Sequence, residues 1–196
     1  MNFRATRARM ATAAVSAAVA GALAVSASPA SASSGDGYVS GGSSFYDDFG
    51  DEGTLSTSSY ASSNAACFWQ RILWAEGAKE SNGTAFDAAD IDGRFGANTK
   101  YATKKLQARW SLTADGIVGK KTFGYADAKR ERLTDEITVG KLEYVSTDSQ
   151  SAGKRYRLKY HGASHTFTLF RGSTGKWGFY DDNGTFRLAG YKSRSC

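Results

Sequence analysis

The sequence predicts an α+β fold: a small three-helix unit followed by a small antiparallel β-meander of about five strands. Three observations carry that expectation. Between residues 64 and 133 apolar side chains recur at helical spacing. From Ile137 onward the period becomes two, and clusters of turn residues interrupt it. Within the helical part, two stretches repeat one another at a separation of 23 residues: Asp92-Gly93-Arg94-Phe95-Gly96-Ala97-Asn98-Thr99 and Asp115-Gly116-Ile117-Val118-Gly119-Lys120-Lys121-Thr122.

The first 32 residues read as an address, not as fold. Arg4, Arg7 and Arg9 precede an uncharged stretch from Met10 to Val25, and Ala30-Ser31-Ala32 supplies an A-x-A cleavage site. That pattern predicts a secretory signal peptide over residues 1–32. The apolar stretch is shorter than the ~20 residues of a membrane span, and no later segment predicts one. Residues 33–63 contain sixteen Ser or Gly in thirty-one positions, with five acids and no base. Such a composition buries too little to offset ordering and predicts a flexible tether. Nothing in the sequence requires its Phe45, Tyr46, Phe49 or Leu55 to dock.

A first helix is predicted over residues 64–78, with Asn64 as N-cap, Trp69, Ile72, Leu73 and Glu76 along one face, and Gly77 ending it. A polar connection follows over residues 79–89. Each Asp-Gly pair then favours a tight turn, because Asp bonds its own backbone and Gly accepts positive φ. Phe95 and Val118, each two residues after the first Gly of its repeat, are placed to anchor the turns in the core. Thr99 and Thr122 fall at helix starts, where a hydroxyl accepts an orphan N–H. The second helix is expected over about 98–110, with Ala102, Leu106 and Trp110 as its inner stripe. The third is expected over about 122–133, its end Lys129-Arg130-Glu131-Arg132 suiting the negative end of the helix dipole.

In the β half, over residues 137–196, Leu142 and Tyr144 alternate with Lys141 and Glu143, and Tyr156, Leu158 and Tyr160 alternate with Arg155, Arg157 and Lys159. The segment 165–170, the pair Trp177 and Phe179, and the pair Phe186 and Leu188 continue the pattern. Asn183-Gly184 is a strong hairpin signal. The aromatic residues of this half are expected to form the core of a small sheet, which must pack one face on something else.

The repeated Asp-Gly stretches, with Leu106-Gln107 and Leu112-Thr113-Ala114-Asp115-Gly116 between them and Phe68-Trp69-Gln70-Arg71-Ile72-Leu73 upstream, resemble the type 1 peptidoglycan-binding domain, a three-helix wall-binding module. The resemblance covers residues 64–133. It departs from the family pattern at Ala97 and Lys120, where Pro is common, at Gly124 early in the third helix, and in the long connection from Gly77 to Ile91. It implies peptidoglycan as partner, received in a groove between the Asp-Gly loops and the helices. The candidate ligand-binding residues are Arg94, Asn98, Thr99, Tyr101, Lys120, Lys121 and Thr122, with Asp92, Gly93, Asp115 and Gly116 shaping the loops. The β half resembles no family.

Charge and chemistry narrow the remaining classes. The chain carries +6 and, without the three Arg of the signal, +3, with residues 33–63 acidic and both later parts basic. A basic exported body is attracted to anionic wall polymers; nucleic acid competes only on charge, and no nucleic-acid motif is present. Export permits a disulfide, and the even pair Cys67 and Cys196 predicts an intramolecular bridge, with free thiols or an intermolecular bond as alternatives. Neither cysteine has the activating context of a nucleophile. His161 and His165 flank a turn without a third ligand, so no metal is expected, and no cofactor. Asp181-Asp182 at a hairpin and Glu143 on a strand face read as turn and surface acids, not a glycosidase pair. The expectation is a secreted, cell wall-associated bacterial protein that attaches to peptidoglycan without catalysis, its β half adding other envelope polymers or proteins as partners. The alternatives are a wall hydrolase with its catalytic residues in the β half, and an envelope interaction or inhibitor protein.

Overall fold

The computed structural model describes residues 34–42, 44–50, 52–132, 138–151 and 153–196. The signal peptide expected over residues 1–32 lies outside them. The central element is helix α1 (Asn64–Glu76), whose residues are all buried except Trp74. A helix apolar around its circumference needs neighbours on every side. On one side Trp69 meets Trp110 and Phe123 edge-on, with ring centroids 6.3 and 5.5 Å away. On the other, Phe68 lies against Phe179 of the sheet at 6.2 Å. The N-cap is Ser63, whose Oγ accepts the Ala66 N–H at 3.0 Å. Asn64, expected in that role, instead accepts the Ser195 N–H on its Oδ1 at 2.8 Å. Gly77 ends the helix in the left-handed region as expected.

Helix α2 (Ala97–Arg109) buries Ala102 and Leu106, and Trp110 follows at its end. Thr103 of this helix accepts the Trp69 indole N–H at 2.9 Å. Helix α3 (Lys120–Ala126) stops well short of residue 133. Its continuation is claimed by a distant segment: the Ala128 carbonyl accepts the N–H groups of Lys141 and Leu142, and Arg130 N–H donates to the Leu142 carbonyl at 2.7 Å. Gly124 weakens the helical alternative. The basic end expected on the helix therefore lies beyond it, with Glu131 and Arg132 forming β1 (Glu131–Arg132), paired with β2 (Thr138–Val139).

Five antiparallel strands follow in sequential order: β3 (Leu142–Gln150), β4 (Gly153–His161), β5 (Thr166–Gly172), β6 (Trp177–Tyr180) and β7 (Phe186–Leu188). The fold is α+β, three helices and then a five-stranded meander. The register puts Leu158, Tyr160, Leu169, Trp177 and Phe179 on the buried face, and Arg155, Arg157, Phe170, Tyr180 and Phe186 on the opposite one. Helices and sheet share one core. Glu76, at the end of α1 and buried, joins them: it takes the Arg109 guanidinium at 2.5 Å, the Lys141 ammonium at 2.8 Å and the Tyr160 hydroxyl at 3.0 Å.

The expectation of a flexible tether before α1 is not met in the described part of residues 34–63. Val39, Phe49 and Leu55 are fully buried. Val39 pairs with both Ala189 and Trp177 through its backbone. Phe49 inserts where all parts meet, with Phe68, Phe123 and Trp177 rings at 5.4, 6.2 and 5.0 Å. Asp48 beside it takes Arg171 Nε at 2.5 Å and the Trp177 indole N–H at 2.8 Å. Glu52 accepts from the Ser40 N–H at 2.6 Å and the Tyr191 hydroxyl at 2.5 Å. Buried polar groups with this many partners hold a segment in place. The mean composition concealed these few well-spaced anchors.

Cys67, in the first turn of α1, is bonded to Cys196, with Cα atoms 6.6 Å apart. The bridge closes a span of 129 residues, for which the chain-entropy picture gives roughly 5 kcal/mol as an upper figure. Replacing both cysteines by serine is expected to lower the midpoint of thermal unfolding by up to ~10–20 °C; an unchanged midpoint in differential scanning calorimetry would count against that role.

Asp127, just after α3, is buried and accepts the Phe49 N–H at 2.6 Å. Burial, and then the charges of Asp47 and Asp48, push its carboxyl from 3.8 up to about 7. The unfolded chain releases this proton near pH 3.8 and the folded chain only near 7, so the stability it contributes is full below 3.8 and lost as pH rises through 7. Asp127→Asn keeps an acceptor for Phe49 without the charge. Its stability in urea at pH 8 is expected to exceed the parent's by up to ~4 kcal/mol, with parallel curves from pH 4 to 8 the contrary result.

Candidate functional site

The two Asp-Gly loops are closed by the same device. After Asp92, Gly93 takes φ 69°; after Asp115, Gly116 takes φ 74°. In the first loop the Gln70 side chain donates to Asp92 Oδ1 at 2.9 Å, the Arg94 carbonyl at 3.1 Å and Thr99 Oγ1 at 3.1 Å, and accepts the Gly93 N–H at 2.7 Å. In the second, Gln107 donates to Asp115 Oδ1 at 2.9 Å, the Ile117 carbonyl at 2.9 Å and Thr122 Oγ1 at 3.0 Å, and accepts the Gly116 N–H at 2.8 Å. A primary amide suits this task, since its two N–H protons are shared among the three acceptors while its oxygen accepts. Phe95 and Val118 are buried beneath their loops as expected. The threonines do not cap: the helices begin at Gly96 and Gly119 without side-chain caps, and each hydroxyl turns back to its own loop.

The loops differ in what covers them. The first is closed over by the last residues of the chain. A Cβ on Gly93 would stand 2.6 Å from Cys67 Sγ and 2.8 Å from Arg194 Cγ. Arg194 donates to the Asp92 carbonyl at 3.0 Å, and the Gly93 carbonyl accepts the Ser63 N–H at 3.0 Å. In the second loop Gly116 is buried instead against the backbone and side chain of Lys100 and the side chain of Lys104, and in both loops the residues on either side of the glycine are exposed. At the second loop Gln107, Leu112, Asp115, Ile117, Lys120 and Lys121 are among the residues that line a groove of about 310 Å³.

The structure therefore divides the candidate residues. Lys120 and Lys121 are exposed at the rim of the groove, and Thr122 is buried in its floor. Asp115 lines it while Oδ1 holds the Ile117 N–H at 2.8 Å. At the first loop, Arg94 is exposed, Tyr101 is half-buried with the Lys105 ammonium 5.2 Å over its ring, and Thr99 is buried. Asn98 is engaged by Glu80 and, at 3.4 Å, by Asp90. Hydrogen bonds from Thr84 and Asn98 hold Glu80 below the usual carboxylate range, while burial raises Asp90. Sequence reasoning passed over Leu112, Thr113 and Ile117 as groove walls, and read Gln70 and Gln107 only as helix positions; their shared phase ahead of two identical turns was the available signal.

The other chemistry-bearing residues are engaged elsewhere. His161 Nε2 meets Glu143 at 2.6 Å, while His165 stacks on Trp74 at 4.5 Å. Asp181 forms its hairpin by accepting the N–H groups of Asn183 and Thr185 and Arg187 Nε at 2.7 Å, and the Arg187 bond holds its carboxyl below the usual range. Asp182 pairs with Arg71 at 2.8 Å. Among the described residues no three His, Cys, Asp or Glu side chains are grouped to hold a metal ion.

Residues 70–124 match the model of the family described as "Putative peptidoglycan binding domain". The matched span begins at the first stitching glutamine and ends within α3, so it contains both loops and the groove. No curated protein and no solved structure matches the chain. The match supports peptidoglycan as the partner of this module and suggests a cell-wall context. Among the described residues no helix is long and apolar enough to cross a membrane.

The two glutamines give a paired test. Gln107→Ala removes four hydrogen bonds from a loop packed on α2, and Gln70→Ala removes the same set from a loop packed on the disulfide. Each leaves buried partners unsatisfied, which costs about 1–3 kcal/mol per group. Amide exchange is expected to quicken around Gly116 in the first variant, with the Gly93 loop still protected in the second by its disulfide-linked cover. Equal loss of protection at both loops would refute that asymmetry.

Proposed function

We propose that the protein is exported, loses residues 1–32, and attaches to peptidoglycan without cleaving it. The observation that carries this reading is the open groove at the second Asp-Gly loop, inside the span that matches the wall-binding family. Its surfaces suit a muropeptide. Leu112 and Ile117 offer apolar wall for a sugar face or an acetamido methyl, the Thr113 hydroxyl and Asp115 offer polar contacts for hydroxyl and amide groups, and the Lys120 and Lys121 ammonium groups face the carboxylates of a stem peptide. Arg94 and Tyr101 at the first loop add contacts beyond the groove, whereas Asn98 and Thr99 serve by holding that loop. Asp92, Gly93, Asp115 and Gly116 shape the backbone that the ligand meets.

The non-catalytic part of the reading rests on the acids. Glycoside hydrolysis uses two carboxyl groups across the scissile bond. Asp115 is the only carboxylate lining this groove, and one of its oxygens is spent on the Ile117 N–H. Sacculi stripped of their phosphate polymers are expected to sediment the protein at low salt without releasing soluble muropeptides. Lys120→Ala combined with Lys121→Ala is expected to weaken sedimentation by roughly tenfold, about one charge-assisted contact. Release of muropeptides would overturn the non-catalytic reading, and absence of the parent protein from the pellet would overturn the binding.

A further inference from the structure

The exposed face of the sheet holds a second site unlike the first. At the end of the sheet where β4 begins and β5 ends, Lys154, Arg155, Ser173, Thr174, Lys176 and Phe186 are among the residues that line a hollow of about 320 Å³. It adjoins a second hollow of about 390 Å³, with which it shares Phe186 and Leu188 at the free edge of β7. That one adjoins a third, of about 340 Å³, through Tyr38 and Ser193. Linked in series by these shared residues, the three make a trough that runs from the sheet face, past the β7 edge and Asn64, to residues 35–38 and 190–193.

Of the five cations that line the trough, Arg187 alone has a counterion among the described residues. Among the described residues Lys154, Arg155, Lys176 and Lys192 form no ion pair, whereas Arg157, Arg171 and Arg187 are paired with Asp148, Asp48 and Asp181. The first two hollows contain no carboxylate, and the third only Asp36. Arg155 is held by rings: its guanidinium lies 4.8 Å over Phe170 and 5.7 Å over Phe186, and its buried Nε has no hydrogen-bond partner. Stacking fixes the guanidinium plane without satisfying its donors. Ser151, Ser173 and Thr174 add hydroxyl donors beside it. An unneutralised trough with a fixed guanidinium selects an anion, and one that is extended rather than compact.

We propose that this trough binds a linear polyol-phosphate chain, its phosphodiester groups meeting Lys154, Arg155 and Lys176 in turn and its polyol hydroxyls meeting Ser173, Thr174 and the serines beyond the β7 edge. Single-stranded nucleic acid, the competing linear phosphodiester, binds by stacking bases on bare aromatic faces. Here the rings are already covered by the cations: Arg155 lies over Phe170 and Phe186, and the Lys176 ammonium is 4.1 Å over Tyr38. The site is separate from the groove at the second Asp-Gly loop and does not depend on that groove's assignment.

The test is titration calorimetry of the purified full chain with soluble poly(glycerol phosphate), at low and raised salt. Binding that weakens with salt is expected. Lys154→Glu combined with Lys176→Glu is expected to weaken it by more than ~10-fold, and Arg155→Lys, which keeps the charge but not the fork, by several-fold. Lys120→Ala with Lys121→Ala is expected to bind the polymer as the parent does, and single-stranded DNA of equal charge to bind roughly tenfold more weakly. On the unaltered protein, bound polymer is expected to shield Lys154 and Lys176 from acetylation while Lys120 and Lys121 react as before, a readout that needs no variant to fold. No binding at low salt, polymer affinity unchanged by the charge reversal, equal affinity for DNA, or shielding at Lys120 and Lys121 instead would each overturn the proposal. Sedimentation on phosphate-free sacculi reads the other groove alone, so failure of one assignment leaves the other measurable.

Discussion

One buried primary amide per loop holds the helical half of this molecule together. Asp-Gly turns expose several backbone N–H and C=O groups in a short space, and a loop folded against a core must satisfy them. Gln70 and Gln107 do so from within the preceding helices, each bonding a carboxylate, a carbonyl, a hydroxyl and an amide N–H at once. The hydrogen bonds are individually modest. Their collective effect is geometric: the distance from helix to loop, the direction of Phe95 and Val118 into the core, and the start of the next helix all follow from them.

The second half depends on a different constraint. A five-stranded meander of short strands has too little depth to bury both its faces, and here one face is covered by α1 and by the segment before it. Phe49 is the contact at which that segment, two helices and the sheet converge, and the Asp48 carboxylate beside it is surrounded by donors from β5 and β6. A buried ion pair such as Asp48–Arg171 adds little stability compared with an apolar pair, but breaking one side of it is costly. It therefore specifies where the segment lies more than how tightly it is held.

Local patterns were readable in the sequence because their causes are local. The two Asp-Gly repeats, the Gly77 helix end and the five strands depend on residues a few positions apart, and each appears where the sequence placed it, although Tyr144, beside a bulge in β3, is exposed and Phe186 and Leu188 lie on the outer face of the sheet. The disulfide followed from parity and compartment. What escaped depended on partners far along the chain. Ser63 outcompetes Asn64 as N-cap because the Asn64 amide is taken by Ser195, 131 residues away. Helix α3 ends early because residues 141–142 claim the backbone that would extend it. Composition averages misjudged residues 34–63, since a Ser/Gly background says little about whether a few spaced apolar and acidic residues meet partners. The groove itself was half readable: Lys120, Lys121 and Thr122 belong to it, while Arg94, Asn98, Thr99 and Tyr101 belong to a loop that the sequence gives no reason to distinguish from its twin.

That distinction comes from the end of the chain. Repeats of like sequence carry like backbone geometry, but Gly93 packs against Arg194 and the Cys67–Cys196 disulfide where Gly116 packs against Lys100 and Lys104 of α2. The chain neighbours of Arg194 and Cys196, Ser193 and Ser195, line the hollow that lies between the sheet edge and Asn64. One repeat has thus become a joint between helices and sheet, and the other borders the groove. Because the joint is tied by a covalent bridge, a buried Glu76 cluster and the docked segment around Phe49, the groove and the trough are carried on one body. Two moderate contacts held at a fixed separation act as one strong attachment when both ligands belong to the same meshwork, since the second binds at the effective concentration set by the first. A rigid joint raises that concentration where a flexible tether would dilute it, and the buried Val39, Phe49 and Leu55 add to that rigidity.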